Sequence, residues 1–369
     1  MVTSLACVAL MLAMAKACTN FIVTKGASSD GFNSISYTDD GGNNYGEITL
    51  LRAADHPAGA MRKIWRWEDG KYLGEIPEAA HTYHVVGNMN EHQLSIGETT
   101  FTGRPELRNP LEIATMDYAN LMSLSLQRAR TAREAIALID RLTTDHGYAS
   151  TGESLTIADP DEIWHMEIAG RGREKGAVWV ARRAPDGSIG GHANQARITT
   201  FPHDDPEDTR FSADLVAWAR RAPICACATW CMQHAACSMQ HAHACVVQWG
   251  PAARSTRGCS LGPRGDTRLH TPHMCLTPHG VRRPAAHHVG CAYARRAGYF
   301  PADAPAASLD FSALVNPISF HGARYGEVRV WDFFRRFAPG VESEYLEYVK
   351  GFELGRRMPL WVTPQRKVT

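Results

Sequence analysis

The chain has 369 residues, of which 39 are basic and 38 acidic, and its formal net charge is +1. This near-neutral balance gives no reason to expect a nucleic acid or another polyanion as a partner. The length suits two or three domains or one large α/β layer fold. After the N-terminus, no segment is apolar over the ~20 residues that a membrane-spanning helix needs, so a stable membrane span is not expected.

The first seventeen residues have the pattern of a secretory signal peptide. Leu5 to Ala15 form a short apolar run, and Ala15-Lys16-Ala17 gives the small-x-small pattern of a cleavage site. A membrane anchor and a bacterial lipoprotein signal are the alternatives. The run is too short to span a bilayer, and Ala15 stands where a lipoprotein signal prefers a branched apolar residue. We therefore expect residues 1–17 to be removed and the product to enter the secretory pathway, with an extracellular or lysosome-like destination.

Removal of residues 1–17 would make Cys18 the first residue of the mature chain. One residue would then carry both a thiol and a free α-amine. An α-amine titrates at about pH 8 and can act as a base, while the thiolate is the reactive form of cysteine. Cys18 is therefore the candidate nucleophile.

The predicted elements run from strands through two helices and back to strands. The first helix is predicted over Leu111–Arg130; the second begins at the capping box Thr131–Glu134 and ends at Gly147. This order indicates an α+β fold with helices layered on antiparallel sheet. The predicted strands are Thr19–Val23, Ser34–Tyr37, His84–Val86, Gln93–Ile96, Leu155–Ala158, Ile163–Ile168, Ala177–Arg182 and Ser188–Gly191. We expect Ala177–Arg182 and Ser188–Gly191 to form one strand–turn–strand unit around Pro185-Asp186-Gly187.

The composition changes sharply over residues 222–296. This segment holds eight of the ten cysteines and eight of the seventeen histidines, with one acidic residue and no lysine. Removal of residues 223–297 would join Val216–Ala222 directly to Gly298, which gives an amphipathic helix that ends at a glycine, an ordinary helix stop. A zinc module around Cys225, Cys227 and Cys231 is the alternative, but the ligand spacings are irregular. We interpret 222–296 as an aberrant, disordered insertion without a metal.

Several separated motifs resemble one enzyme family. The run from Ala17 to Gly31 closely resembles the start of the mature dipeptidases of the PepD/secernin family, which are N-terminal-nucleophile hydrolases. The resemblance covers roughly 17–221 and 298–362. It implies a four-layer αββα sandwich, whose first part is 18–221 and whose continuation, 297–369, is shorter than in relatives. The other matching motifs include Asp55–Gly59, Lys71–Gly74, Val86–Gln93, Ile96–Phe101, Gln127–Ala135, Ile157–Pro160, Gly191–Ile198 and Gly322–Arg324.

The resemblance also implies roles for individual residues. Cys18 would attack the peptide carbonyl, with its own α-amine relaying the proton. Asn194 is the expected oxyanion donor, although a turn asparagine would occupy the same position. Asp40 falls where related hydrolases place an acid that orients the α-amine. Asn90 and Glu98 are expected to line the substrate pocket, with Glu98 binding a substrate ammonium, and a structural role is the alternative for both.

Four neighbouring or competing residues bear on this reading. Tyr37 lies three residues before the orienting acid, at a position where many relatives carry an arginine. Asp39 is explained equally well as a charged residue of a turn that is exposed to solvent. His165 and His192 suggest a Cys–His dyad. Because an N-terminal amine makes a separate histidine base unnecessary, we do not expect this dyad. His165 alternates within an apolar strand, which fits a histidine that is packed or faces solvent.

The sequence thus predicts a cysteine dipeptidase that cleaves small unblocked dipeptides without a cofactor. It leaves open a homo-oligomer. One alternative is a related amidase that cleaves an acyl amide such as a conjugated bile acid. The other is a non-catalytic or defective secretory product, which the interruption at 222–296 and the short C-terminal part favour.

Overall fold

A computed structural model describes residues 18–40, 48–101, 103–221, 304–316, 329–330, 332–338 and 360–368. These residues belong to one compact unit, which comprises Met1–Ala222 and Phe300–Thr369. The predicted signal peptide and the predicted 222–296 insertion, with its alternative zinc module, lie outside the described residues. Helices and antiparallel sheets dominate the described part, as the α+β prediction requires.

A four-stranded antiparallel sheet carries Cys18 at one end of a central strand. Its strands are β1 (Thr19–Val23), β2 (Ser34–Thr38), β14 (Ile189–His192) and β16 (Trp361–Val362). They lie in the order β16-β14-β1-β2. Cys18 immediately precedes β1, so the sheet fixes the backbone on which the candidate nucleophile stands.

The second sheet has eight strands in the order β15-β13-β12-β11-β10-β9-β8-β3, and every pairing is antiparallel. Two short pairs, β4 with β7 and β5 with β6, stand apart. The strands are β3 (Leu50–Leu51), β4 (Ala54–Asp55), β5 (Met61–Trp65), β6 (Tyr72–Pro77), β7 (His81–Thr82), β8 (Val85–Val86), β9 (Met89–Asn90), β10 (Ser95–Phe101), β11 (Gly152–Ala158), β12 (Ile163–Arg171), β13 (Glu174–Arg183) and β15 (Thr209–Phe211).

The predicted strand–turn–strand unit around Pro185-Asp186-Gly187 exists, but its two strands do not pair with each other. β13 pairs with β12 and β15 in the large sheet, whereas β14 pairs with β1 and β16 in the small one. The connecting loop is tied to the end of β1, because Asp186 accepts a hydrogen bond from the Gly26 N–H at 2.7 Å. The chain therefore crosses between sheets here instead of forming a hairpin.

The two longest described helices are α1 (Tyr118–Arg128) and α2 (Ala132–His146), followed by the shorter α3 (Leu215–Arg221) and α4 (Phe311–Val315). Helix α1 begins seven residues later than predicted, because Asp117 caps it by accepting from the Asn120 N–H at 2.7 Å.

The predicted Thr131 cap of α2 is confirmed, and the reciprocal bond of Glu134 goes to the residue before the cap. Thr131 accepts from the Glu134 N–H at 3.2 Å, and the Glu134 carboxylate accepts from the Arg130 N–H at 2.8 Å. The helix ends at Gly147, whose φ of 73° suits a glycine. The sequence pattern therefore located both ends of this helix.

Apolar contacts join the helices and sheets. Helices α1 and α2 pack on one face of the large sheet, where Ile136 and Ile139 meet Leu155 and Met166 in one buried cluster. The small sheet packs on the large one through Ile22, which joins a separate cluster with Ile163. These contacts exclude water from both faces of the large sheet.

The two sheets approach closely at β10, and the outer face of the small sheet is also covered. A Cβ atom at Gly97 would lie 2.3 Å from Asn20 Oδ1, so only glycine permits this approach of β1. Residues 329–330 and 332–337 are helical. From this segment Phe334 packs on Ile189, and Phe333 stacks on Phe21 with ring centroids 4.3 Å apart. The packing brings residue 329 to the start of β1.

Candidate active site

The Cys18 side chain is buried, with 2% of the residue exposed. Its sulfur lies 3.6 Å from Asp39 Oδ1 and receives a hydrogen bond from the Thr100 backbone N–H. β9 pairs with β10 only at Ser95. The C-terminal part of β10, which includes Thr100, is therefore free of β9 and faces Cys18. The edge of one sheet and the first strand of the other thus enclose the thiol.

Burial raises the pKa of the Cys18 thiol above its ordinary value, and the carboxylates of Glu98 and Asp39 raise it further. The hydrogen bond from Thr100 lowers the pKa, but its effect is smaller than that of burial. The thiol is therefore protonated at neutral pH while Ala17 and Cys18 are joined by a peptide bond.

Arg329 joins Cys18 to Asn194. One terminal nitrogen donates to the Cys18 carbonyl at 2.6 Å and to Thr19 Oγ1 at 2.7 Å, and the other donates to Asn194 Oδ1 at 2.7 Å. Burial lowers the pKa of Arg329, while the nearby Asp40 and Cys18 act to raise it. A guanidinium remains charged under these conditions, so it places a fixed positive charge at the start of β1.

Asn194 adopts a left-handed backbone conformation, with φ of 56°. Its Nδ2 donates to the Thr100 carbonyl at 2.7 Å, while Arg329 holds its Oδ1. Since both ends of the amide are bound, its orientation is set. The amide N–H side lies at Thr100, the residue whose own N–H contacts the Cys18 sulfur.

The structure separates the two neighbouring acids that end β2. Both are exposed, but Asp39 is the one within hydrogen-bonding distance of the Cys18 thiol, whereas Asp40 lies near Arg329. The sequence interpretation favoured Asp40 and treated Asp39 as a solvated turn charge. In this geometry Asp39 is the acid that contacts the Cys18 sulfur, and Asp40 lies near the Arg329 guanidinium.

Glu98 lies beside Cys18 and is 1% exposed. Tyr37 donates its hydroxyl to Glu98 Oε1 at 2.8 Å, so this tyrosine contacts the site directly. Burial raises the pKa of Glu98, and hydrogen bonds from Glu153 and Tyr37 partly offset that effect. A negative charge on Glu98 is thus compatible with its buried position because hydrogen-bond donors surround it.

The hydrogen bonds of the Asn90 side chain go to other parts of the fold and not to Cys18. Its Nδ2 donates to the carbonyls of Leu126 and Ala129, each at 2.8 Å, and its Oδ1 accepts from the N–H groups of His92 and Leu94. These four bonds tie the β9–β10 turn to the end of α1. The contacts match the structural alternative for Asn90.

Neither histidine that suggests a dyad is hydrogen-bonded to Cys18. The His192 ring nitrogens lie 2.6 Å from Thr99 Oγ1 and 2.7 Å from Thr156 Oγ1, between the sheets. Burial holds the pKa of His192 well below its ordinary value, so the ring is neutral. The Nε2 of His165 lies 3.0 Å from Glu167. Both histidines therefore serve the packing of the two sheets.

A cleft of about 650 Å³ opens on the other side of Tyr37. Exposed Phe32 and Met89 stand at its mouth, and Gln93 on its wall has a positive φ of 63°. Tyr37 lines this cleft and also donates its hydroxyl to Glu98, the carboxylate beside Cys18.

Within the described ranges, no group of three histidine, cysteine or acidic side chains is arranged to hold a metal ion. No helix in the described part is long and apolar enough to cross a membrane. The sequence interpretation missed Arg329, Thr100 and Glu153. Thr100 lies within the matching motif Ile96–Phe101, but nothing in that motif indicates its contact with Cys18. Arg329 and Glu153 lie outside the matching motifs and act through neighbours from distant parts of the chain.

The sequence model of peptidase family C69 matches residues 17–243, which is more than half of the chain. The chain belongs to peptidase family C69. The match begins one residue before Cys18 and includes β1, β2, β10 and β14, which carry most of the residues around the thiol. The predicted resemblance to PepD-type dipeptidases is confirmed.

Curated relatives of this C69 chain carry dipeptidase names. "Probable dipeptidase B" of Streptococcus pyogenes serotype M3 is 28% identical over 227 residues, which cover 56% of this chain and 43% of the relative. "Probable dipeptidase A" of Streptococcus pyogenes serotype M18 is 28% identical over 219 residues, covering 54% and 43%. The chain therefore spans less than half the length of these relatives.

Proposed function

We propose that this chain is a cysteine dipeptidase in which Cys18 becomes the N-terminal nucleophile once residues 1–17 are removed. The observation that carries the proposal is the convergence of Arg329, Asn194 and Asp39 on Cys18 at the start of β1. Family membership and the names of the relatives support the reaction class.

Removal of residues 1–17 would change the chemistry of the thiol. In a peptide bond the Cys18 nitrogen has no basic lone pair, and two carboxylates raise the pKa of the thiol beside it. A liberated α-amine adds a basic group on the same residue and, when protonated, a positive charge that favours the thiolate. Cleavage would thus turn a protonated, unreactive sulfur into a nucleophile with its own base.

The reaction follows from these groups. The α-amine accepts the thiol proton as the sulfur attacks the peptide carbonyl, and a tetrahedral intermediate with a negative oxygen forms. The intermediate collapses when the α-ammonium donates the proton to the leaving amine, which leaves a thioester on Cys18. Water activated by the same α-amine then hydrolyses the thioester and frees the sulfur.

Asn194 is the proposed oxyanion donor. An amide group has two N–H bonds, and only one is needed for the bond to the Thr100 carbonyl. Because Arg329 fixes Oδ1, the second N–H is held in one direction without reorganisation during the reaction. Asp39 or Asp40 would orient the α-amine from the end of β2.

Glu98 is the proposed recognition group for the substrate α-ammonium. Its buried carboxylate lies next to the sulfur and already accepts a hydrogen bond from Tyr37. In a dipeptide the free amine and the scissile carbonyl belong to the same residue, so binding of the amine at Glu98 would explain a preference for unblocked dipeptides. The proposed fold is the four-layer αββα sandwich, supported by helices on the large sheet and by Phe333 and Phe334 on the small one. The proposed route is secretory.

The test combines the mature N-terminus with substrate hydrolysis. We expect mass spectrometry of the purified active chain to identify Cys18 as the first residue. We expect C18A to lose dipeptide hydrolysis, while C225S, which removes another thiol, retains it. The wild type should cleave free dipeptides and spare their N-acetylated forms. Undiminished hydrolysis by C18A, or an active chain that starts elsewhere, would refute the proposal.

A further inference from the structure

Glu153 lies beside Glu98 and has no assigned role. Thr100 pairs directly with Glu153 across β10 and β11, and Glu98 pairs with Leu155 two positions along. Side chains two residues apart on a strand share a face, so both glutamates lie on the same side of the sheet. Glu153, like Glu98, is 1% exposed.

Hydrogen bonds connect the two carboxyl groups. The Thr100 hydroxyl lies 3.1 Å from Glu153 Oε1 and 3.5 Å from Glu98 Oε2. The Glu153 carboxyl lies within hydrogen-bonding reach of Glu98, and its Oε2 has no other hydrogen-bond partner. Two carboxylates have only acceptors, so a bond between them requires that one carries a proton.

The surroundings assign that proton. Glu98 receives the Tyr37 hydroxyl at 2.8 Å and lies beside the Cys18 thiol, so donors stabilise its charged form. Glu153 receives a neutral hydroxyl donor, Thr100, at the longer distance of 3.1 Å, and no donor contacts its other oxygen, Oε2. Burial without strong donors favours the neutral acid. In agreement, the pKa of Glu153 is raised well above its ordinary value, chiefly by burial and then by Glu98.

We propose that Glu153 is a positioning residue, which carries the proton that the two carboxyl groups share and so keeps a single negative charge on Glu98 beside the Cys18 sulfur. Its O–H donates to Glu98 and fixes the direction in which that carboxylate faces. The assignment of the proton depends on the geometry alone. Its importance for catalysis rests on the proposed function, in which Glu98 binds the substrate ammonium.

Infrared spectroscopy tests the proton assignment without any assay of activity. A carboxylic acid has a C=O stretching band that a carboxylate lacks. In difference spectra at pH 7, we expect E153Q to lose one such band relative to the wild type, and we expect E98Q to retain it. E162Q is the matched control. Glu162 is ion-paired with Arg133 at 2.7 Å and is therefore a carboxylate, so the E162Q spectrum should lose no acid band. Loss of the band in E98Q but not in E153Q, or in neither, would overturn the assignment.

Dipeptide hydrolysis then tests the positioning role. The E153Q substitution keeps a neutral donor of nearly the same shape, whereas E153L removes the donor. We expect kcat/KM of E153Q to exceed that of E153L by at least about tenfold. Apart from the acid band, the infrared spectra of both variants should match that of the wild type. Equal values for E153L and the wild type would overturn the role. If the E153Q band difference is present but the wild type hydrolyses no dipeptide, the proposed function fails and the proton assignment stands.

Discussion

Replacing Arg329 with methionine should destabilise the fold and disable the site together. The guanidinium makes three hydrogen bonds of 2.6–2.7 Å, to the Cys18 carbonyl, Thr19 Oγ1 and Asn194 Oδ1. A hydrogen bond to a charged group contributes about 1.5–3 kcal/mol. Arg329 is only partly buried, and water can replace some of the lost bonding. We therefore expect R329M to lower the free energy of unfolding by about 3 kcal/mol, less than the sum of the three bonds.

The control is R336M, the same substitution at a neighbouring arginine. Arg336 pairs with Asp332 at 2.7 Å but its side chain is 61% exposed, so R336M should cost at most about 1 kcal/mol. R329K keeps the charge but loses the planar fork, and we expect it to recover about half of the loss. The measurement is urea unfolding followed by tryptophan fluorescence. If R329M and R336M unfold at the same urea concentration, the bridging role of Arg329 is wrong.

Catalysis should respond to the same change. Without Arg329 the Asn194 amide is held at one end only, and the positive charge near Cys18 is lost. We expect kcat/KM for a dipeptide to fall at least ~100-fold in R329M, equivalent to about 2.7 kcal/mol of transition-state stabilisation. Measurement at a temperature where the variant remains folded separates this loss from instability. Activity of folded R329M within threefold of the wild type would contradict the assigned geometry.

Two further predictions concern the contact between the sheets. G97A should lower the free energy of unfolding by at least about 2 kcal/mol, because its Cβ would lie 2.3 Å from Asn20 Oδ1 and 3.1 Å from Tyr37 Cβ; a thermal melt equal to the wild type would refute this. His192 should make stability fall with acidification. Its folded pKa is lowered, so below about pH 6.5 the unfolded state binds a proton that the folded state does not, and stability falls by about 1.4 kcal/mol per pH unit. H192Q should show a shallower pH dependence of urea unfolding between pH 6.5 and 5, and an unchanged slope would show that His192 is not responsible.

Local patterns in the sequence correctly indicated much of the fold. The strand Thr19–Val23 has the predicted bounds, and the cap at Thr131 and the stop at Gly147 define helix α2 as expected. These features depend on nearby residues, since strand alternation and helix caps are set within a few positions along the chain. The start of α1 was misplaced because Asp117 interrupts an apolar pattern that continues across it.

The amino-acid sequence by itself indicated Cys18 as the candidate nucleophile. It also indicated the dipeptidase family and the alternation of strands and helices. Tertiary structure decided which groups meet at the thiol. Arg329 reaches the Cys18 carbonyl across 311 positions of sequence, and Glu153 meets Glu98 only because β10 and β11 pair in one register. No local pattern records such contacts, because they arise when buried apolar faces bring distant segments together. The same packing selected Asp39 over its neighbour for contact with the sulfur.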